Sequence, residues 1–379
     1  MKLSFYKILI LISFLIGFPN YNLAQSISLS KNAKVSIITC ETGNESYSLF
    51  GHTAFRINDL ENNLDIVYNY GAFDFATPNF VAKFSKGNLQ YFVVANSFSD
   101  FMNQYSYEQR SVYEQELNIP SVYKQKLFDN LNTIISTDER FYTYKFIDKN
   151  CTTMVIDIVN KTLGYSVIVK KIDDKKTYRS VLYPYFDNFF YEQLGTSIIF
   201  GSKVDQIATK IFLPLELQKN LKVIQFNNHA LCSDSKPLLD FNKIPTSSRW
   251  NNIYTYLLFL ILIVIINNMK IDLIYLSIMG VLGLFFAYMG FYSLHQELTN
   301  NYNILLFNPL LLFLVYFNIK KNKKWILNLC FMNLVLLIIY TIILLSKAHL
   351  IIVLPLVITS CVVLVKLILK NIQKIPVVI

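Results

Sequence analysis

Apolar residues are spread unevenly along the chain, and the pattern divides it into three parts. An apolar run over residues 8–18 follows Lys2 and Lys7, and Asn22-Leu23-Ala24 offers a small residue for cleavage. The run is short for a bilayer span, so residues 1–24 read as a cleaved secretory signal rather than a retained anchor. Residues 26–250 mix apolar and polar positions and are numerous enough to bury a core of their own. From Ile253 the pattern changes abruptly to five apolar stretches, at 253–266, 273–294, 304–317, 325–345 and 350–369. Each can supply a helix of about 20 residues once its polar flanks reach the interface, the first and third being shortest. Residues 251–379 are therefore expected to form a five-span α-helical bundle.

Within the middle part, the β-branched run at 34–40 predicts a strand, followed by a polar turn at 41–45. Further strands are expected at 52–57, at 66–70 with Gly71 ending it, at 91–95 and at 142–146. Val122, Leu127, Leu131, Ile134 and Ile135 fall on one side of a helix over 121–136. A second helix is expected over 152–163, with Gly164 just past its end. The order suggests an α+β domain. Residues 165–250 are rich in Phe and Tyr, and fit core packing, a cover over the site or a bilayer interface equally.

Lysine placement orients the chain. With 26–250 outside, Lys270, Lys320, Lys321, Lys323, Lys324, Lys366, Lys370 and Lys374 fall on the cytoplasmic side, and only Lys347 lies in an external loop. The expected location is the bacterial inner (cytoplasmic) membrane, with residues 26–250 periplasmic and the C-terminus cytoplasmic. The net charge of +10 is thus a membrane feature; no nucleic-acid-binding signature accompanies it, and no nucleic-acid partner is expected. A charged fraction of 16%, against about a quarter in soluble domains, agrees.

Few residues can carry chemistry. The histidines are His52, His229, His295 and His349, and the cysteines Cys40, Cys151, Cys232, Cys330 and Cys361. No metal-ligand spacing, Gly-rich phosphate loop or GxSxG elbow occurs, so neither a metal nor a cofactor is expected. Cys151, in Lys149-Asn150-Cys151-Thr152-Thr153, joins a predicted strand to a predicted helix. At a helix N-terminus the dipole and unpaired N–H groups favour a thiolate and could hold an oxyanion. A nucleophilic cysteine needs a base, and His52, directly after Gly51 on a predicted strand, is the candidate. Asn69 on the next strand could orient the imidazole. A lone cysteine before a helix is also commonly structural. Cys40 and Cys232 share its oxidising compartment and could pair, leaving Cys151 free. A polar patch runs from His295 to Asn308-Pro309, in the first external loop and the top of the next span. Solvated loop residues are the plain reading, but Asn308-Pro309 inside an apolar stretch suggests a packing or substrate role.

With these residues in view, the chain resembles the Lnb family, the Bacteroides-type lipoprotein N-acyltransferases. The resemblance rests on Phe50-Gly51-His52-Thr53-Ala54-Phe55-Arg56-Ile57, Val67-Tyr68-Asn69-Tyr70-Gly71-Ala72-Phe73-Asp74-Phe75, Phe84-Ser85-Lys86-Gly87 and Asn150-Cys151-Thr152-Thr153. Ser293-Leu294-His295, Asn303 and Asn308-Pro309 extend it into the membrane part, and Phe307 stands where tryptophan is expected. The resemblance implies a circularly permuted papain-like domain, similar to NlpC/P60-type and LRAT-type enzymes, in which the histidine strand precedes the cysteine helix. It further implies transfer of an acyl chain from a membrane phospholipid, through a Cys151 thioester, to the α-amine of a diacylglyceryl-cysteine lipoprotein. His52 would serve as base and Asn69 as orienter, with substrate contacts from Tyr68, Tyr70, Asn150, His295 and Asn308. Fold does not fix reaction. A periplasmic membrane-anchored cysteine hydrolase, acting on peptidoglycan peptides or phospholipids, and a non-enzymatic membrane factor both stay open.

Overall fold

A computed structural model describes residues 27–45, 47–242 and 248–372. The expected signal segment lies outside the described residues. The N-terminal part runs through β1 (Lys34–Cys40), β2 (His52–Asp59), β3 (Leu64–Ala72), α1 (Phe80–Lys86), β4 (Gln90–Ser97), α2 (Phe98–Tyr107), β5 (Val112–Glu116), α3 (Ser121–Ser136), β6 (Phe141–Thr143) and α4 (Cys151–Leu163). It continues with α5 (Tyr178–Leu182), α6 (Phe190–Ile199), α7 (Pro214–Leu221), a small hairpin of β7 (Gln225–Phe226) and β8 (His229–Ala230), and β9 (Lys236–Leu239). The fold is α+β, as the pattern predicts.

An antiparallel sheet in the order β6-β4-β3-β2-β1-β5-β9 organises this part. One face packs Phe55, Ile57 and Tyr68 against Leu127 and Leu131 of α3 and Val155 and Val159 of α4. The other packs Ile38, Ala54 and Val67 against Phe101 and Tyr105 of α2. Covering both faces is why every residue of β1 but the first is buried, Ser36 and Thr39 included.

Three expectations change. β3 does not stop at Gly71. It bends there, with a register shift between Tyr70 and Ala72 and a Gly71 φ of 106°, a conformation open to glycine. The strand expected at 142–146 shrinks to β6, because the backbones of Lys145 and Lys149 bond each other and close a turn. Cys40 and Cys232 do not pair; all five cysteines are free thiols. Cys40 lies opposite Val112 and Cys232 opposite Leu117. Five residues of extended chain separate those positions by about 16 Å, far beyond disulfide reach.

The C-terminal part is helical: α8 (Ile253–Ile265), α9 (Met269–Tyr292), α10 (Leu310–Ile319), α11 (Lys323–Leu344) and α12 (Leu350–Ile372). Among the described residues four segments are long and apolar enough to cross a membrane. With 13 residues, α8 extends about 20 Å, short of a hydrocarbon core of about 30 Å. The third segment is broken. Tyr302–Leu305 is a 3-10 turn, and α10 begins only after Asn308 accepts a hydrogen bond from Leu310 N–H at 3.0 Å. Irregular backbone is tolerated at such a position when buried in protein, and Leu306 and Phe307 are buried. Gly283 on α9 makes the room: a Cβ there would lie 1.8 Å from the Phe307 carbonyl oxygen. At the opposite end of the bundle, Lys366 and Lys370 approach the buried Asp272 at 3.7 and 3.9 Å.

The two parts are bolted together by buried polar contacts. Arg179 donates to Asp205 at 2.7 Å and to the Ser197 carbonyl at 3.1 Å. Asp205 also accepts from the Tyr302 hydroxyl at 2.5 Å. Asn303 donates to the carbonyls of Ile198 and Phe200 and accepts from the Tyr340 hydroxyl at 2.7 Å. Helix α6 packs on α12, with Phe190, Leu194 and Ile198 joining the bundle's apolar core.

Candidate active site

Cys151 is the first residue of α4. Asn150 caps that helix: its Oδ1 accepts from the N–H groups of Thr152 at 2.9 Å and Thr153 at 3.0 Å, while the Thr153 hydroxyl accepts from Asn150 N–H at 2.8 Å. This capping box fixes where the helix starts, and hence where the thiol stands. Gly164, with φ 89°, closes the other end. The cap also engages two of the first-turn amides that the sequence offers for an oxyanion, and leaves over that of Cys151. Asn150 is held in turn, its Nδ2 donating to the carbonyls of Phe146 at 2.7 Å and Phe212 at 2.9 Å.

The turn before Cys151 is clamped from the membrane part. Glu297 accepts from Ile147 N–H at 3.2 Å, and Lys145 donates to the carbonyls of Gly87 at 2.6 Å and Leu294 at 3.1 Å. The position of Cys151 is thus set by both halves of the chain.

His52 opens β2, 99 positions before Cys151. The register of β2 on β3 pairs Ala54 with Asn69 and, continued, brings His52 beside Gly71. A Cβ on Gly71 would lie 3.7 Å from His52 Cε1, 3.9 Å from Cys151 Cβ and 3.9 Å from the Tyr142 hydroxyl. Three chemically able side chains therefore surround one glycine, whose missing side chain leaves the space between them. His52 Nε2 bonds Asn69 Oδ1 at 2.5 Å. A carbonyl oxygen only accepts, so Nε2 carries a proton and Nδ1 is left for the thiol.

The electrostatics follow. Burial works against charge on His52, but the Cys151 sulfur and the hydrogen bonds to Cys151 and Asn69 outweigh it, and the imidazole pKa is raised. Burial likewise raises the Cys151 thiol; His52 beside it, Thr53 N–H and the Thr152 hydroxyl more than compensate, and its pKa is lowered. Both shifts act in the direction of a thiolate–imidazolium pair. Cys40 and Cys232 have no such partner, and burial pushes both thiols up to about 12.

A pH dependence results. The reactive ion pair forms as pH rises through the lowered thiol pKa, and its imidazolium proton is lost as pH rises through the raised His52 pKa. Alkylation of Cys151 by iodoacetamide is expected below the ordinary thiol range, with Cys40 and Cys232 unreactive. In His52→Ala the alkylation midpoint moves upward, because burial is then unopposed by the imidazolium. An unchanged midpoint would show that His52 does not activate the thiol.

Cys151, His52 and Asn69 are brought together. The other expected residues make the following contacts. Tyr68 is buried under the sheet, its hydroxyl donating to Asn132 at 2.7 Å. Tyr70 is buried with an unpaired hydroxyl. Asn150 acts through the cap. His295 donates from Nε2 to the Phe84 carbonyl at 3.0 Å and packs on Gly87, and burial holds its pKa below the usual imidazole range. Asn308 caps α10.

Tyr142 was not singled out by the sequence. Its side chain is 3% exposed and its hydroxyl has no partner among the described residues, although it borders the same glycine as Cys151. An unpaired buried hydroxyl is costly, so one at a nucleophile is a candidate donor to charge that appears only during reaction. In the sequence, Tyr142 is one tyrosine among 25. Gly71 reads in the sequence as the end of a strand, and only the structure shows β3 running through it to Ala72 and so close to Cys151.

A family model described as Lnb N-terminal periplasmic domain matches residues 21–182, and another, described as Lnb transmembrane domain, matches residues 251–374. No curated protein and no solved structure matches the chain.

Proposed function

Because the chain belongs to the Lnb family and carries both its periplasmic and its transmembrane domain, we propose that it is a lipoprotein N-acyltransferase with Cys151 as nucleophile. The donor is a membrane phospholipid, and the acceptor is the free α-amine of a diacylglyceryl-cysteine lipoprotein. The observation that carries this reading is the Cys151–His52–Asn69 chain around Gly71, mounted on a membrane bundle. The order of histidine strand before cysteine helix agrees with a permuted papain-like domain. Mounting on the inner membrane, with the lysine-rich ends and the C-terminus cytoplasmic, places both lipid substrates beside the site.

The chemistry balances in two halves. His52 Nδ1 holds the proton of the Cys151 thiol. The thiolate attacks the phospholipid ester carbonyl, and the oxyanion formed is met by the Cys151 N–H and the Tyr142 hydroxyl. The tetrahedral species collapses to a thioester, and the departing lysophospholipid oxygen takes the proton from the imidazolium. The neutral lipoprotein amine then attacks the thioester carbonyl. His52 accepts the amine proton, an amide forms, and the Cys151 thiolate leaves beside the imidazolium. Transfer rather than hydrolysis requires water to be scarce, and Phe50, Phe146 and Phe212 supply an apolar setting next to the helix start.

The test is the mass of a reporter lipoprotein's N-terminal lipopeptide, in a host lacking its own N-acyltransferase. A third acyl chain on the amine is expected with the wild-type chain. Tyr142→Phe is expected to slow its appearance by about 10²-fold, the cost of one oxyanion donor. An unchanged diacyl species with folded wild-type protein would overturn the reading and favour a cysteine hydrolase. An unslowed Tyr142→Phe would remove the tyrosine from the mechanism.

A further inference from the structure

α1 and the turn before it present an apolar patch to the outside. Phe75 is 72% exposed, Val81 73% and Phe84 44%. Exposed clusters of this kind mark interaction surfaces, and the position of this one identifies its partner. The end of α1 is tied to the end of the membrane helix α9. The Lys86 carbonyl accepts from Leu294 N–H at 2.8 Å, the Ser85 carbonyl from the Ser293 hydroxyl at 2.7 Å, and the Phe84 carbonyl from His295. Two residues earlier on α9, in the last turn of the span, Phe291 is 94% exposed and so faces lipid. The patch is therefore tied to the end of α9, where a helix of that length and composition would reach headgroup level. The Lys86 ammonium lies over the Tyr292 ring at 5.4 Å, the pairing of aromatic and cation expected at that level.

The patch also leads to the nucleophile. Phe75 contacts Phe73 at 4.8 Å between ring centroids, Phe73 contacts Tyr91 at 5.1 Å, and Tyr91 contacts Tyr142 at 6.1 Å. Tyr142 borders Cys151 across Gly71. An unbroken line of rings thus runs from the exposed patch to the thiol.

We propose that the patch of Phe75, Val81 and Phe84 is embedded in the periplasmic leaflet, and that a phospholipid acyl chain reaches Cys151 along the aromatic line behind it. The embedding stands on exposure and on the ties to the end of α9; the entry route rests on the acyltransferase reading above. A chain lying along the rings stays out of water while its ester approaches the sulfur. Lys83 and Lys86, on the same short helix, supply cations at the level of the phosphate.

The experiment has two arms. Full-length Cys151→Ala protein is reconstituted in phosphatidylethanolamine–phosphatidylglycerol vesicles containing a phospholipid with a mid-chain diazirine, irradiated, and mapped by peptide mass spectrometry. Adducts on residues 73–86, in addition to the spans, are expected; adducts on the spans alone overturn the embedding. In the second arm, the combined Phe75→Ser, Val81→Ser and Phe84→Ser variant is expected to form the Cys151 thioester about tenfold more slowly or worse, with iodoacetamide alkylation of Cys151 unchanged. Thioester formation at the wild-type rate overturns the entry route. Labelling of 73–86 with no thioester on the wild-type protein supports the embedding and sinks the acyl-transfer reading instead.

Discussion

Cys151→Ala is expected to lower acyl transfer by about 10⁴-fold or more while the protein still folds, the scale seen when the nucleophile of a coupled catalytic unit is removed. The loss is large because, in the proposed mechanism, Cys151 forms the covalent intermediate and no other thiol stands beside His52 among the described residues. His52 can hold a proton but faces the sulfur, and the four other thiols are Cys40 and Cys232, held in the core, and Cys330 and Cys361 in the membrane helices. Folding survives because the helix start is built by Asn150 and Thr153, whose mutual hydrogen bonds do not use the thiol. His52→Ala is expected to fall to a similar level, since thiol and imidazole act as one unit. The measurements are the mass of the Cys151-bearing peptide after exposure to phospholipid and the mass of the product lipopeptide. Activity within tenfold of wild type in a folded Cys151→Ala protein would remove the cysteine from the mechanism and leave a binding or assembly role.

Arg179→Met is expected to cost about 3–5 kcal/mol, the range for stripping one partner from a buried ion pair. Arg179 is 1% exposed. Its guanidinium answers Asp205 and the carbonyls of Ser197 and Phe200, at the point where the sheet domain meets the bundle. Without it, Asp205 keeps, among the described residues, the Tyr302 hydroxyl from the membrane side, and the two carbonyls lose a charged donor. The unfolding midpoint in detergent should drop on the order of 10 °C. The partnered change Arg179→Met with Asp205→Asn should recover part of the loss, because it removes the stranded charge. A midpoint within a degree or two of wild type would mean that the Asn303 hydrogen bonds and the apolar contacts of α6 hold the junction without Arg179.

Much of the architecture was legible because it is written locally. β1 and α3 form over the residues expected of them, since a β-branched run and a helical stripe of apolar side chains need only near neighbours. The start of α4 was readable to within one residue from the apolar spacing after Cys151, and its end from Gly164, whereas the Asn150 cap was seen only in the structure. The apolar C-terminal stretches announced membrane helices by composition alone. Elements that draw their stability from distant partners were missed. α1 has no buried residue and is held by its bonds to the loop after α9, while α6 rests its apolar side on the bundle. The break in the third apolar stretch escaped notice because hydropathy does not register that Asn308 and Pro309 restart the helix against Gly283.

The candidate site divides along the same line. The sequence determined which residues could react: a cysteine at a helix start, a scarce histidine after a glycine, and the means of reaching a membrane. It left Cys40 and Cys232 free to be imagined as a pair, and it gave Tyr142 no distinction from the other tyrosines. The tertiary structure alone decided that His52, Asn69 and Tyr142 converge on Cys151 around Gly71, and that Glu297 and Lys145 pin the turn before it. Helix starts, strand runs and spans follow from the chemistry of adjacent residues. Which side chains meet follows from sheet register and from packing between segments about a hundred residues apart, where no local propensity reaches.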